Sequence, residues 1–255
     1  MRYEVLGPLR VAEEGRHSSI SARKIETVLA LLLVRCDQVV LPDQLIAEVW
    51  GDHPPRRATA GLHVYISQLR KFLHRPERAE SRLVTQPPGY LLRQGSDELD
   101  FQLFLERVGQ GRAHLRERRY EAACDCFERA LELWRGPVLG DISGPVIDGF
   151  VAWLMEVRME CLELLGEAHL QLGRHRELVG RLYSLTAEHP LRETFYRQLM
   201  LALYRSERQA DALKVYETAR RVLVTKLGLE PCRALRELQQ AILVDDDRLE
   251  LATLA

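Results

Sequence analysis

The sequence predicts an α+β protein in two parts, a small mixed half over residues 1–95 and an all-helical half over residues 96–255. Residues 42–93 carry two helical patterns one short turn apart, followed by a Gly-containing hairpin, Leu83-Val84-Thr85-Gln86-Pro87-Pro88-Gly89-Tyr90-Leu91-Leu92-Arg93. Residues 3–20 alternate in the manner of strands, and from Phe101 onward every pattern is helical. Helix, turn, basic helix and hairpin is the layout of a winged helix-turn-helix. That layout sets one helix in the DNA major groove and the hairpin against a neighbouring phosphate strand.

Taken in order, Tyr3, Val5, Leu9 and Val11 fall on alternate positions, which predicts a half-buried strand bent at Gly7-Pro8. Glu13 to Arg16 reads as a turn and His17 to Ile20 as a second strand, so a small sheet precedes the first helix. Ser21 is the expected cap of a helix through Ile25, Val28, Leu29, Leu32 and Leu33, apolar over most of its surface and therefore central. Pro42 suits the first position of the next helix, where its missing N–H is not needed, and Asp43 suits the dipole there. Leu45, Ile46, Val49 and Trp50 form its apolar face, and Gly51 stops it.

The third helix, opened by Pro54-Pro55-Arg56-Arg57, divides into two faces. Leu62, Tyr65, Ile66, Leu69, Phe72 and Leu73 follow the i, i+3, i+4, i+7 rule and form the buried stripe. The opposite face holds Arg56, Arg57, Ala60, Val64, Ser67, Gln68 and Lys71, with His63 and Arg70 on the flank. A solvated face is mostly charged. This one mixes Arg, Ser and Gln with a small residue and an unexplained valine, a set suited to base edges: Val64 to a thymine methyl, Gln68 to adenine. Pro76 to Ser81 reads as a polar loop. In the hairpin, Arg82 and Arg93 stand at the feet and prolines at the tip, so Thr85, Gln86 or the flanking arginines are the expected DNA contacts.

Gly95-Ser96-Asp97 is the expected boundary, with strand patterns ending there. Seven helices are expected beyond it. The first opens at Phe101, Phe104, Leu105 and Val108; the next runs from Tyr120 to Trp134 and is broken by Arg135-Gly136-Pro137; a long helix spans about 148–172. Further helices run to His189-Pro190, over Leu191 to Arg205, over Gln209 to Leu227, and from Pro231 to a point before Asp245-Asp246-Asp247. Arg174-His175 and Arg208-Gln209 occupy equivalent turns 34 residues apart, the period of tetratricopeptide helix pairs, which stack into a continuous core and present a protein-binding surface.

Net charge is −1 overall, but residues 1–93 hold 14 Arg and Lys against 10 Asp and Glu, a balance of +4, leaving −5 for the rest. One half therefore has the charge to face DNA and the other does not. The five cysteines are scattered through helical segments, which argues against a disulfide framework; Cys124 and Cys126 point different ways, and no second cysteine or histidine pair completes a zinc set. Catalytic and nucleotide motifs are missing, Gly109-Gln110-Gly111 lacks its third glycine, and no apolar run spans a bilayer. The expectation is a non-enzyme without cofactor or metal, cytoplasmic and nucleoid-associated.

Val39-Val40, Leu45-Ile46, Val49-Trp50-Gly51-Asp52, Pro54-Pro55, Tyr65-Ile66-Ser67-Gln68-Leu69-Arg70-Lys71 and Pro87-Pro88-Gly89-Tyr90-Leu91-Leu92 fall in an order that resembles the DNA-binding domain of Streptomyces antibiotic regulatory proteins, relatives of OmpR-type winged helices. Ala130-Leu131-Glu132-Leu133-Trp134-Arg135-Gly136-Pro137, His189-Pro190-Leu191-Arg192-Glu193 and the run Leu203 to Leu213 resemble their bacterial transcriptional activation domain. The resemblance implies an activator of secondary-metabolite (antibiotic) gene clusters. Such a protein binds direct repeats near the promoter −35 region as two protomers side by side, and recruits RNA polymerase through sigma factor and the alpha C-terminal domain.

By position, the resemblance implies base-facing roles for Arg56, Arg57, Val64, Ser67 and Gln68 and backbone contacts for Arg70, Lys71, Thr85 and Arg93. It implies polymerase contacts from the turn, at Asp52, His53 and Arg56. Ser67 and Gln68 stand where OmpR relatives often carry Arg, which weakens any transferred base preference. With no ATPase or receiver module in the sequence, control by abundance is expected. The alternatives are a helical-repeat scaffold that binds protein, and a repressor with the same DNA-binding half.

Overall fold

The computed structural model describes residues 1–74, 81–246 and 249. The polar loop expected at Pro76–Ser81 lies, apart from Ser81, outside the described residues. The chain forms two compact units, one of residues 1–107 with 129–158, the other of residues 108–128 with 159–255.

The first unit opens with strands β1 (Arg2–Glu4), β2 (Arg10–Glu13) and β3 (Arg16–Ser18), then helices α1 (Arg23–Val34), α2 (Pro42–Trp50) and α3 (Ala58–Leu73). Strands β4 (Leu83–Gln86), β5 (Gly89–Leu92) and β6 (Glu98–Leu99) follow. The bent strand expected around Gly7 is a hairpin instead: β1 and β2 are antiparallel, pairing Tyr3 with Val11, and the chain reverses between them. Period two persists because Tyr3, Val5, Leu9 and Val11 all still reach the core. The second strand falls at Arg16–Ser18 rather than His17–Ile20, since its register is set by pairing Glu13 with Arg16 across the turn. Strand pattern does not stop at Asp97: β6 joins β1 in parallel and completes a sheet of order β3-β2-β1-β6.

Helix α1 is the expected central helix, with Val28 to Leu33 buried without interruption. Its cap is Ala22, not Ser21; the Ile25 and Glu26 N–H groups donate to the Ala22 carbonyl at 2.9 and 3.0 Å, so the helix starts one residue later. Pro42 takes the first position of α2, and Gly51, at φ +60°, ends it. The α3 stripe is as read: Leu62, Ile66, Leu69 and Leu73 are buried, Tyr65 and Phe72 half-buried. Strands β4 and β5 form the hairpin, with Leu83 opposite Leu92 and Gln86 opposite Gly89.

Helices α4 (Asp100–Arg116), α5 (Tyr120–Leu131) and α6 (Pro145–Gln171) contribute to both units. The α5 helix stops at Leu131 rather than Trp134, because a turn carries Trp134 onto Phe104 (5.3 Å, edge to face) and beneath the Arg158 guanidinium at 4.5 Å. Residues 135–139 then run along the sheet: Arg135 N–H donates to Leu6 O (2.7 Å) and Leu139 N–H to Val5 O (2.9 Å). Buried Asp100 accepts the Val5 and Leu6 amides at 2.8–3.0 Å.

The second unit continues with α7 (His175–Glu188), α8 (Glu193–Tyr204), α9 (Gln209–Leu227) and α10 (Arg233–Leu243). Helices α7 and α9 start 34 residues apart, as the repeat requires. Arg119, Arg174 and Arg208 each donate a backbone N–H to a carbonyl five residues back (His114, His169, Leu203), just after a residue at positive φ (Arg118, Gly173, Glu207). Helices α4, α6 and α8 thus end by the same left-handed stop, which turns the chain toward the next helix. Phe195, Leu199, Ala202, Leu203, Ala212 and Ala219 fill the core between α7, α8 and α9.

Candidate nucleic-acid interface

Helix α3 has one face in the core and the other in solvent. Arg56, Arg57, Ala60, Val64, Ser67, Gln68 and Lys71 are all exposed, Val64 at 52%. An exposed valine between a small residue and two polar ones loses apolar burial unless a partner covers it. The N-terminus of α3 has no side-chain cap and no acidic residue in its first turn, and Arg56 and Arg57 flank it. The helix dipole and two guanidinium groups together favour a phosphate or an acceptor-rich base edge.

Trp50 sets where α3 lies. Its ring stacks on Tyr65 at 5.7 Å, lies where a Cβ added at Gly61 would make ordinary van der Waals contact, and carries the Lys24 ammonium 5.2 Å from its centroid. The turn between them is Gly51 to Arg57, with Asp52, His53 and Arg56 all exposed and the Ala58 N–H held by Pro55 O at 2.9 Å.

The wing stands beside α3. Val40 and Tyr90 exchange both backbone hydrogen bonds (2.8 and 3.0 Å), so the link before α2 pairs with β5. Gly89 is required there, because a Cβ would overlap the Val40 carbonyl. Thr85, Gln86, Pro87 and Pro88 are exposed at the tip and Arg93 is exposed at one foot. Arg82, at the other foot, is turned to Asp97 at 3.0 Å. Beneath the wing, burial pushes the Cys36 thiol up to about 11, with its Sγ 3.4 Å from Leu92 O; it is a neutral packing group, not a reactive thiolate.

The predicted DNA residues lie on α3 and on the wing that packs beside it, all exposed but Arg70. Arg70 does not stand free: its Nε donates to Leu83 O at 3.0 Å and a terminal nitrogen to Thr85 Oγ1 at 2.7 Å. The two residues assigned separately to phosphate are joined to each other and tie the wing to α3. Sequence reading missed this link and the Lys24–Trp50–Tyr65 stack. The spacing of Gly61 and Tyr65, one turn apart on the side facing Trp50, was the available signal for the stack. Among the described residues no cluster of His, Cys, Asp or Glu could hold a metal, and no helix is long and apolar enough to cross a membrane.

A basic reading helix, a wing and a helical-repeat half define a DNA-binding transcriptional regulator. Residues 19–92 match the family described as transcriptional regulatory protein, C terminal, and residues 99–243 match the bacterial transcriptional activator domain. The chain belongs to the Streptomyces antibiotic regulatory protein family. It is 39% identical to regulatory protein AfsR of Streptomyces coelicolor over 98% of its length, but spans only 25% of AfsR. It is 36% identical to regulatory protein DnrI of Streptomyces peucetius, covering 98% of this chain and 94% of DnrI. A solved structure of Mycobacterium tuberculosis EmbR, in complex with a low-affinity phosphopeptide, superposes with a TM-score of 0.90 at 33% identity, covering 96% of this chain and 65% of that one.

Proposed function

We propose that this regulator activates an antibiotic-type secondary-metabolite gene cluster: two protomers bind side by side on direct repeats near the promoter −35 region and hold RNA polymerase there through sigma factor and the alpha C-terminal domain. The observation that carries the DNA part is the single exposed face of α3, Arg56 to Lys71, next to the wing. Arg56, Arg57, Val64, Ser67 and Gln68 face bases; Lys71, Arg93 and the wing around Thr85 face backbone. Asp52, His53 and Arg56, exposed on the Pro-stiffened turn, face polymerase. Residues 1–95 carry the DNA-reading sequence and residues 96–255 the activation sequence.

Transcription reconstituted with purified RNA polymerase on a promoter bearing direct repeats tests this. Gln68→Ala is expected to relax preference at one base pair by about 1–3 kcal/mol. A joint Asp52→Ala/His53→Ala variant is expected to bind the repeats normally and lose activation. Unchanged specificity at every operator position removes Gln68 from base reading. Full activation by the turn variant removes the turn from polymerase contact.

A further inference from the structure

Glu48, on α2, is 5% exposed, an unusual place for a carboxylate on the first helix of a helix-turn-helix. Its partners lie about a hundred positions later. Both carboxylate oxygens accept the Val146 N–H at 3.1 Å, and Oε1 accepts the Ile147 N–H at 2.8 Å. Pro145, the first residue of α6, has no N–H, so Val146 and Ile147 offer the first free amides of that helix. A carboxylate at that end is favoured by the helix dipole and by charge-assisted bonds, which offset the cost of burying it. Gly144 completes the fit, since a Cβ there would overlap Glu48 Oε1.

The clasp is one of several ties on the same segment. Residues 135–139 run along Val5 and Leu6, and the Asp141 carbonyl accepts from Arg23 of α1 at 2.8 Å. The segment from Arg135 to Ile147 thus straps the sheet, α1 and α2 together within one compact unit. Glu48 stands two residues before Trp50, whose ring stacks on Tyr65 of α3. A shift at Glu48 therefore moves the platform under the reading helix.

We infer that Glu48 is a positioning residue for DNA reading, and that the strap Arg135–Ile147, remote in sequence from the helix-turn-helix, is a working part of it. The inference rests on the DNA-binding reading above and adds a coupling: the segment that begins α6 and the helix that supports α3 share one buried carboxylate.

Full-length variants test it by operator binding over a range of salt, with folding checked by circular dichroism. Glu48→Gln keeps the size and loses the charge; Gly144→Ala, at a position without positive φ, wedges the clasp from the other side. Each is expected to weaken operator binding about tenfold, to leave the salt slope unchanged because no phosphate contact is lost, and to speed amide exchange at Val146 and Ile147. In a Glu48→Ala background the wedge has nothing to strike, so adding Gly144→Ala is expected to cost no further affinity. Folded variants that bind as tightly as wild type, or costs that simply add in the double variant, overturn the inference. A wild-type chain that binds no direct-repeat DNA overturns the DNA-binding reading itself, and the coupling with it.

Discussion

Arg70 has to satisfy a guanidinium on the flank of α3, where the wing is within reach and bulk water is not the only partner. It does so by bonding Leu83 O and Thr85 Oγ1, and a planar fork with fixed donors suits two acceptors at set positions. A residue used in this way is expected to order the wing more than it neutralises DNA. Arg70→Ala is expected to weaken operator binding about tenfold at every sequence while leaving the salt slope within error. Arg70→Lys is not expected to restore it, because one ammonium cannot reproduce the fork. Exposed Lys71, its neighbour, is the contrast: Lys71→Ala is expected to lower the slope by about one. Slopes from titrations at several salt concentrations decide the matter, and an Arg70→Ala slope that falls like that of Lys71→Ala returns Arg70 to direct phosphate contact.

At the scale of elements, the same residue type two positions apart meets opposite constraints. Gly109 and Gly111 both lie in α4. A Cβ at 109 would meet nothing, whereas one at 111 would stand 2.5 Å from the Phe127 ring, which is fully buried. Gly109→Ala is therefore expected to stabilise the chain by up to about 1 kcal/mol through helix propensity. Gly111→Ala is expected to destabilise it by about 1–3 kcal/mol through overpacking. Denaturant melts of the two variants give the sign directly, and a neutral Gly111→Ala means that α4 and α5 approach less closely. Periodicity showed that this Gly-Gln-Gly lies in a helix and not in a phosphate loop, but could not show which glycine was packed. That asymmetry recurs. The buried stripe of α3 and the 34-residue offset between α7 and α9 were readable because each repeats along the chain. The short β6 was not, since two residues become a strand only when β1 is beside them. The cap at Ala22 rather than Ser21, and the end of α5 at Leu131, were set by local bonds and by Trp134 finding Phe104. The exposed face of α3 was readable as a face, while the Glu48 clasp and the Arg70 link depended on residues outside the helix that carries each.

For the molecule as a whole, acid stability depends on groups that folding holds neutral. His169 is 9% exposed, with Nε2 3.5 Å from Glu128. Burial holds its pKa below the ordinary histidine value, aided by Arg174, and the attraction of Glu128 does not overcome this. His175 is shifted the same way by burial and by Arg205 and Arg176. The unfolded chain takes up protons at both histidines near about pH 6.5, while the folded chain does so only at lower pH. Between those values the unfolded state binds more protons, so stability is full above about pH 6.5 and falls as pH drops toward the lowered folded values. The carboxylates act in opposite senses. Burial raises Asp100, so acidification through its folded pKa relieves a cost; Glu4, though burial alone would raise it, is held low by Arg10, Arg135 and Arg2, so its contribution is lost as pH falls through its folded value. The first loss on acidification should accordingly belong to the histidines. Thermal melts between about pH 7 and pH 5.5 are expected to show a falling Tm for the wild type. The His169→Gln/His175→Gln variant, which has no proton to gain at these positions, is expected to show a flatter profile. A variant whose Tm falls as steeply as that of the wild type would place the acid sensitivity elsewhere in the chain.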